Sequence, residues 1–138
     1  MQQPSKKVSS QNTSKNSNSS LLRKKIGVFG EQLAHDFLMR KGYIILVRNF
    51  YAPGGEIDII AQRKSDLIIV EVKTRTSQVY GFGEEAVDKA KWKRMKKALL
   101  AYHAPFPVQY VQFDIIVVDI NTKQLTATIK HLKNIIFD

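Results

Sequence analysis

The chain contains no cysteine, which excludes disulfides, thiol chemistry and cysteine-ligated zinc. It has no uninterrupted apolar run of about 18 residues, the length that a membrane helix needs. Its N-terminus lacks the apolar core of a signal peptide and is instead rich in Ser, Asn, Gln and Lys. A cytoplasmic protein with no membrane partner is the simplest reading of these absences. Acidic residues are missing from the first 25 positions altogether.

What is present is a strong positive balance. The formal charge is +10, which points to a polyanionic partner. Six basic side chains (Lys6, Lys7, Lys15, Arg23, Lys24 and Lys25) fall in those first 25 residues. The remaining 113 residues carry 16 basic and 12 acidic side chains, a mild excess. A low-complexity stretch to about Ser20 buries too little apolar surface to offset its ordering entropy. Residues 1–25 therefore read as a disordered basic tail and residues 26–138 as one domain. That length suffices for a single core, and the 43% hydrophobic content is ordinary for a globular protein.

The domain reads as helix, three strands, helix, two strands. Ile26, Phe29, Leu33, Ala34, Phe37 and Leu38 recur at helical spacing, and Gly42 marks the stop. Strands follow at 43–49, 56–62 and 67–74, separated by turns at Pro53-Gly54-Gly55 and Arg63–Asp66. A loop over 75–83 leads to a helix from Glu84 to about His103, closed by Pro105 and Pro107. Strands at 108–120 and 124–132 flank the turn Asn121-Thr122-Lys123. Three meandering strands and a helical crossover to two more predict an α/β fold, a mixed five-stranded sheet with flanking helices.

Charge falls where this sheet should be dry. Leu67, Ile68, Ile69 and Val70 leave no polar face, yet Glu71 and Lys73 follow with Val72 between them. Side chains alternate along a strand, so Glu71 and Lys73 share the face of Leu67 and Ile69. Asp58 stands between Ile57 and Ile59 on the preceding strand, and the turn at 63–66 brings it beside Glu71. Two carboxylates in one partly buried site repel each other and are costly to desolvate. A divalent cation removes both costs, and Mg²⁺ takes one or two carboxylates plus waters and phosphate oxygens. A lysine beside such a site can orient a water or stabilise the charge that develops on a phosphorane. The plain alternative is a Glu-x-Lys on the wet face of a sheet.

The arrangement Asp58…Glu71-Val72-Lys73 resembles the PD-(D/E)xK nuclease motif, with Gly55-Glu56-Ile57 where a Pro-Asp would stand. Gly30-Glu31, Gly42-Tyr43, Arg48-Asn49-Phe50, Gly55-Glu56-Ile57-Asp58, Val70 to Arg75 and Phe82-Gly83 together resemble the bacterial YraN-like family (UPF0102). That family is similar to archaeal Holliday-junction resolvases. The resemblance spans about residues 27–120 and departs at Gln112, where the family usually has Arg before Phe-Asp. It implies a restriction-endonuclease-like core with Asp58, Glu71 and Lys73 as catalytic residues. It also implies Asp58, Glu71 and Glu31 as ligands of Mg²⁺ or Mn²⁺. The expected partner is nucleic acid, DNA foremost, cut at phosphodiester bonds and at branched structures in particular. The alternatives are a nucleic-acid-binding module without catalysis and, from the tail alone, a protein-interaction adaptor. Resolvases generally need two active sites, so a homodimer stays open.

Further candidates surround this set. Glu31 falls about 110° from the centre of the first helix's apolar stripe, at its edge, where solvent and sheet are both in reach. Lys91 interrupts the apolar stripe Val87, Met95, Ala98 and Tyr102 of the second helix. It either snorkels past the core or, as the resemblance implies, contacts the scissile phosphate. Arg75 is a second expected nucleic-acid contact. Tyr80 and Phe82 suit base stacking or a hydrophobic plug. His35, His103 and His131 show no metal-ligand spacing, and Asp114 is left outside the site.

Overall fold

The computed structural model describes residues 11–76 and 89–136, with side chains from residue 17 onward. Its elements are α1 (Gln11–Arg40), β1 (Ile44–Ala52), β2 (Gly55–Arg63), β3 (Asp66–Thr76), α2 (Lys89–Leu100), β4 (Tyr110–Asn121) and β5 (Thr126–Leu132). The strands form one sheet in the order β1-β2-β3-β4-β5. β3 and β4 are parallel, and every other neighbouring pair is antiparallel. The fold is therefore α/β with a mixed five-stranded sheet and two helices. None of the helices is long and apolar enough to cross a membrane among the described residues.

α1 lies on one face and α2 on the other. Ala34 and Leu38 of α1 pack on Ile59, Ala61, Ile68, Val70, Ile116 and Val118. Met95 and Ala98 of α2 pack on Ile57, Ile60, Leu67, Ile69, Ile115 and Val117. β3 is sandwiched between both layers, which is why its sequence carries an unbroken apolar run. α1 closes in a Schellman arrangement: Gly42 (φ 91°) donates to Met39 O at 3.0 Å and Tyr43 donates to Leu38 O at 3.0 Å.

Two boundaries differ from the sequence expectation. α1 runs back to Gln11, well before the expected start at Ile26, and residues 17–25 are all exposed. No Gly or Pro stands between Gln11 and Ile26 to stop a helix already nucleated by the packed turns of Ala34 and Leu38, and each added residue gains a backbone bond. Residues 1–10 lie outside the described residues. So does the expected start of the second helix at Glu84, along with Val87, Tyr80 and Phe82. α2 ends at Leu100, three residues before His103, in a tightened turn where Ala101 and Tyr102 donate to Ala98 O and Leu99 O.

Candidate active site

The site is built at a break in the sheet. β2 and β3 pair from Arg63↔Asp66 to Ile59↔Val70, and the ladder stops there. The next residues, Asp58 and Glu71, would have been partners. Instead the Val72 amide donates to Asp58 Oδ2 at 2.8 Å. A carboxylate thus takes the place of a backbone carbonyl, which satisfies the amide and fixes the acid between the two helix layers.

The strict alternation of β2 fails at the same point. Ile59 belongs to the core under α1, whereas Ile57, two residues away, belongs to the core under α2. β1 switches in step. Arg48, paired with Ile59, reaches Gln32 of α1 at 2.9 Å, whereas Phe50, paired with Ile57, stacks edge-on against Tyr102 at 5.4 Å. Between them Asn49 has a φ of 50°, a left-handed conformation that Asn tolerates better than most residues. Its side chain faces Glu31 and counters, in part, the rise of that carboxyl's pKa. Gly30 makes this approach possible, since a Cβ there would collide with the Thr74 side chain on β3.

Glu71 is the most strained group. It is 7% exposed, and its Oε2 is buried without a hydrogen-bond partner. Burial, and then the charge of Asp58, push its pKa up to about 8. Glu31 is also raised, by burial first and by Asp58 second. Opposing them is Lys91 from α2. Its ammonium lies 2.9 Å from Glu56 Oε1 and 3.5 Å from Glu71 Oε1, and Arg94 comes within 3.5 Å of Glu56. Burial works against the Lys91 cation, but Glu56, Glu71 and Asp58 outweigh it and raise its pKa. Lys91 and Arg94 in turn hold Glu56 below its ordinary value; the Lys91 hydrogen bond contributes most.

The structure thus brings Asp58, Glu71, Glu31 and Lys91 together. Lys73 lies two residues beyond Glu71 on β3, half-buried and on the α2 side of the sheet by alternation. Arg75 follows on that face, turned to Asp119 of β4, with Nε and Oδ1 3.2 Å apart. Arg75 Nη2 also donates to Asp119 Oδ2 at 3.5 Å, whereas the buried Nε makes no hydrogen bond. Two contributors escaped the sequence reading. Glu56 was visible only as a motif letter, and Asn49 could be found through its tolerance of positive φ. Among the described residues no group of three or more His, Cys, Asp or Glu is gathered into a finished metal site. Glu31 senses Asp58 without closing such a cage.

Asp114 is a separate matter. Its side chain is fully buried and accepts from His131 Nε2 at 2.7 Å, Gln112 Nε2 at 2.9 Å and the Asn134 amide at 2.9 Å. It ties β4, β5 and the segment after β5 together. Gln112, the departure from the family pattern, supplies one of those bonds.

The pattern of this fold and site has relatives. The model of the Uncharacterised protein family UPF0102 matches residues 30–118. The chain belongs to the UPF0102 family. A UPF0102 protein of Clostridium botulinum (strain 657 / Type Ba4) is 42% identical over 117 residues, covering 80% of this chain and 93% of its own. One from Syntrophomonas wolfei subsp. wolfei is 36% identical over 113 residues, covering 82% and 98%. The UPF0102 match encloses Glu31, Asp58, Glu71, Lys73, Arg75 and Lys91, and ends just beyond the Asp114 anchor.

Proposed function

We propose that this protein is a metal-dependent endonuclease with a restriction-endonuclease-like core, acting on DNA phosphodiester bonds. The observation that carries the reading is Glu71 Oε2, a buried carboxylate oxygen with no partner, pressed against a second carboxylate. Such a pair is costly unless a cation is shared. Mg²⁺ and Mn²⁺ fit the donor set, because Mg²⁺ is satisfied by one or two carboxylates with waters and phosphate oxygens. Asp58 and Glu71 would hold the ion, with Glu31 as the third acid. When bound, it would supply Lewis-acid activation of water and of the phosphate.

The side chains do the rest. The bond from Val72 keeps Asp58 aimed into the break. Lys73 shares the Glu71 face, where an ammonium orients the attacking water and stabilises charge on the phosphorus oxygens as the bond to the leaving sugar oxygen breaks. Lys91 bridges Glu56 and Glu71 until substrate phosphate competes for its ammonium.

That same lysine favours a second reading, a nucleic-acid-binding module. With Lys91 bridging Glu56 and Glu71, part of the acidic charge is already compensated from within. One set of measurements separates the two: melting with and without millimolar Mg²⁺ or Mn²⁺, beside cleavage of duplex, single-stranded, flap and four-way-junction DNA. Wild type should melt higher with metal, since a ligand of the folded state alone stabilises it by mass action. Asp58→Asn should be at least as stable as wild type without metal and gain nothing from it. Lys73→Ala should keep the metal response and lose cleavage. An Asp58→Asn protein with an unchanged metal response would remove the nuclease reading. Metal protection without any cleavage would leave the binding module.

A further inference from the structure

Away from the acidic site, a cavity of about 290 Å³ is lined by Phe37, Lys41, Tyr43, Arg63, His131 and Lys133. It lies beside the C-terminal end of α1. Arg63 is five residues along β2 from Asp58, about 17 Å away at 3.4 Å per residue. Lys41, Arg63 and Lys133 bring three cations to its wall, and no carboxylate lines it.

The wall is preorganised. Arg63 donates to the Tyr43 hydroxyl at 3.2 Å, and its guanidinium lies 5.2 Å from the centre of that ring. Lys41 stands 5.7 Å from the centre of the Phe37 ring. His131 is wedged between Phe37 and Tyr43, at 5.9 and 6.0 Å between ring centres. Asp114 fixes the imidazole from behind at 2.7 Å. An ionised Asp114 only accepts, so Nε2 carries the proton and the ring has one orientation. A helix C-terminus ordinarily repels anions. Here the last carbonyls are already taken: Phe37 O by Lys41, Leu38 O by Tyr43 and Met39 O by Gly42.

We propose that this cavity binds a phosphate monoester or free phosphate, separately from the acidic site. Three cations converging on one hollow repel each other until an anion enters. A carboxylate would offset one of them, whereas a phosphate dianion offsets two and offers three acceptor oxygens. The planar fork of arginine suits that geometry. The two sources of such a group, a nucleic-acid 5′ end and free phosphate, are separated by the probes.

The full chain is tested in EDTA, which removes divalent ions, so that failure here leaves the metal-site reading untouched. Melting is compared in inorganic phosphate and in chloride of equal ionic strength. Binding is compared for one short single strand carrying either a 5′-phosphate or a 5′-hydroxyl. The variant Lys41→Met/Lys133→Met changes two exposed side chains and should fold normally. Wild type should melt higher in phosphate and prefer the phosphorylated strand about tenfold, or about 1.4 kcal/mol. The double variant should lose both effects, and Asp58→Asn should keep both. A phosphate shift with no preference between strands would support the site with free phosphate as its ligand. Absence of a phosphate-specific shift in wild type, or its persistence in the double variant, would overturn the proposal.

Discussion

At the scale of single residues, Glu71 makes the site measurable without substrate. Its ordinary value is 4.5 and burial beside Asp58 moves it to about 8. Between those values the folded chain holds a proton that the unfolded chain releases. The stability associated with the neutral form is complete below about pH 4.5 and is lost as pH rises through about 8. Glu71→Gln imitates the neutral form. In metal-free buffer it should match wild type near pH 4.5 and exceed it increasingly up to pH 8. The gap is on the order of a few kcal/mol at most, since one pKa unit is about 1.4 kcal/mol. Urea melts across that range would read it, and parallel curves would mean that Glu71 is not strained. Lys91→Met should do the reverse, because it strips the cation from Glu56 and Glu71, and its deficit should grow with pH. Sequence alone placed Asp58 beside Glu71 correctly, since a hairpin turn of known position sets the register. It left Lys91 undecided between snorkelling and function. Spacing gives the face of a helix, whereas the partner across the gap, Glu56, depends on how α2 sits on β2.

At the scale of elements, the architecture was legible because each strand announced itself by apolar runs between turn residues, and β3 by having no polar face. The break between β2 and β3 was not legible. Alternation assumes an unbroken pleat, and the switch at Asn49 and Asp58 involves two strands at once, neither of which carries a Gly or Pro at that point. The two helices reach the break through close contacts. Gly55 of β2 lies so near α2 that a Cβ would collide with the Arg94 carbonyl and with the Ala98 amide, 2.6 Å away. Because both obstacles are backbone, no side chain can swing aside. Gly55→Ala should therefore push α2 off the sheet, costing about 1–3 kcal/mol. It should also draw Lys91, three residues before Arg94, away from Glu56. A lowered melting temperature together with a weaker pH dependence of the Lys91→Met deficit is the expected pair of results. A variant as stable as wild type would show that α2 packs more loosely than the structure has it.

For the whole molecule, the decisive quantity is where the charge of +10 lies. The acidic break is flanked by Lys73, Lys91 and Arg94, the cavity beside the end of α1 gathers three cations, and the first 25 residues hold six basic side chains with no acid. Composition revealed the last of these and neither of the first two, because charges distant in the chain converge only after folding. α1 extends back to Gln11, and low complexity is matched there by the exposure of residues 17–25. Deleting residues 1–20 tests what this segment adds. It removes Lys6, Lys7 and Lys15, three of the six basic residues, and no side chain that either core uses. Each phosphate contact contributes about 0.7–0.9 to the slope of log affinity against log salt. If the proposed DNA binding is real and the segment takes part in it, deletion should flatten that slope by up to about 2–3 for single-stranded and duplex DNA alike. The melting temperature and the metal response should not move. An unchanged slope would place all phosphate contacts on the domain itself, and a marked loss of thermal stability would mean that the segment packs against the domain.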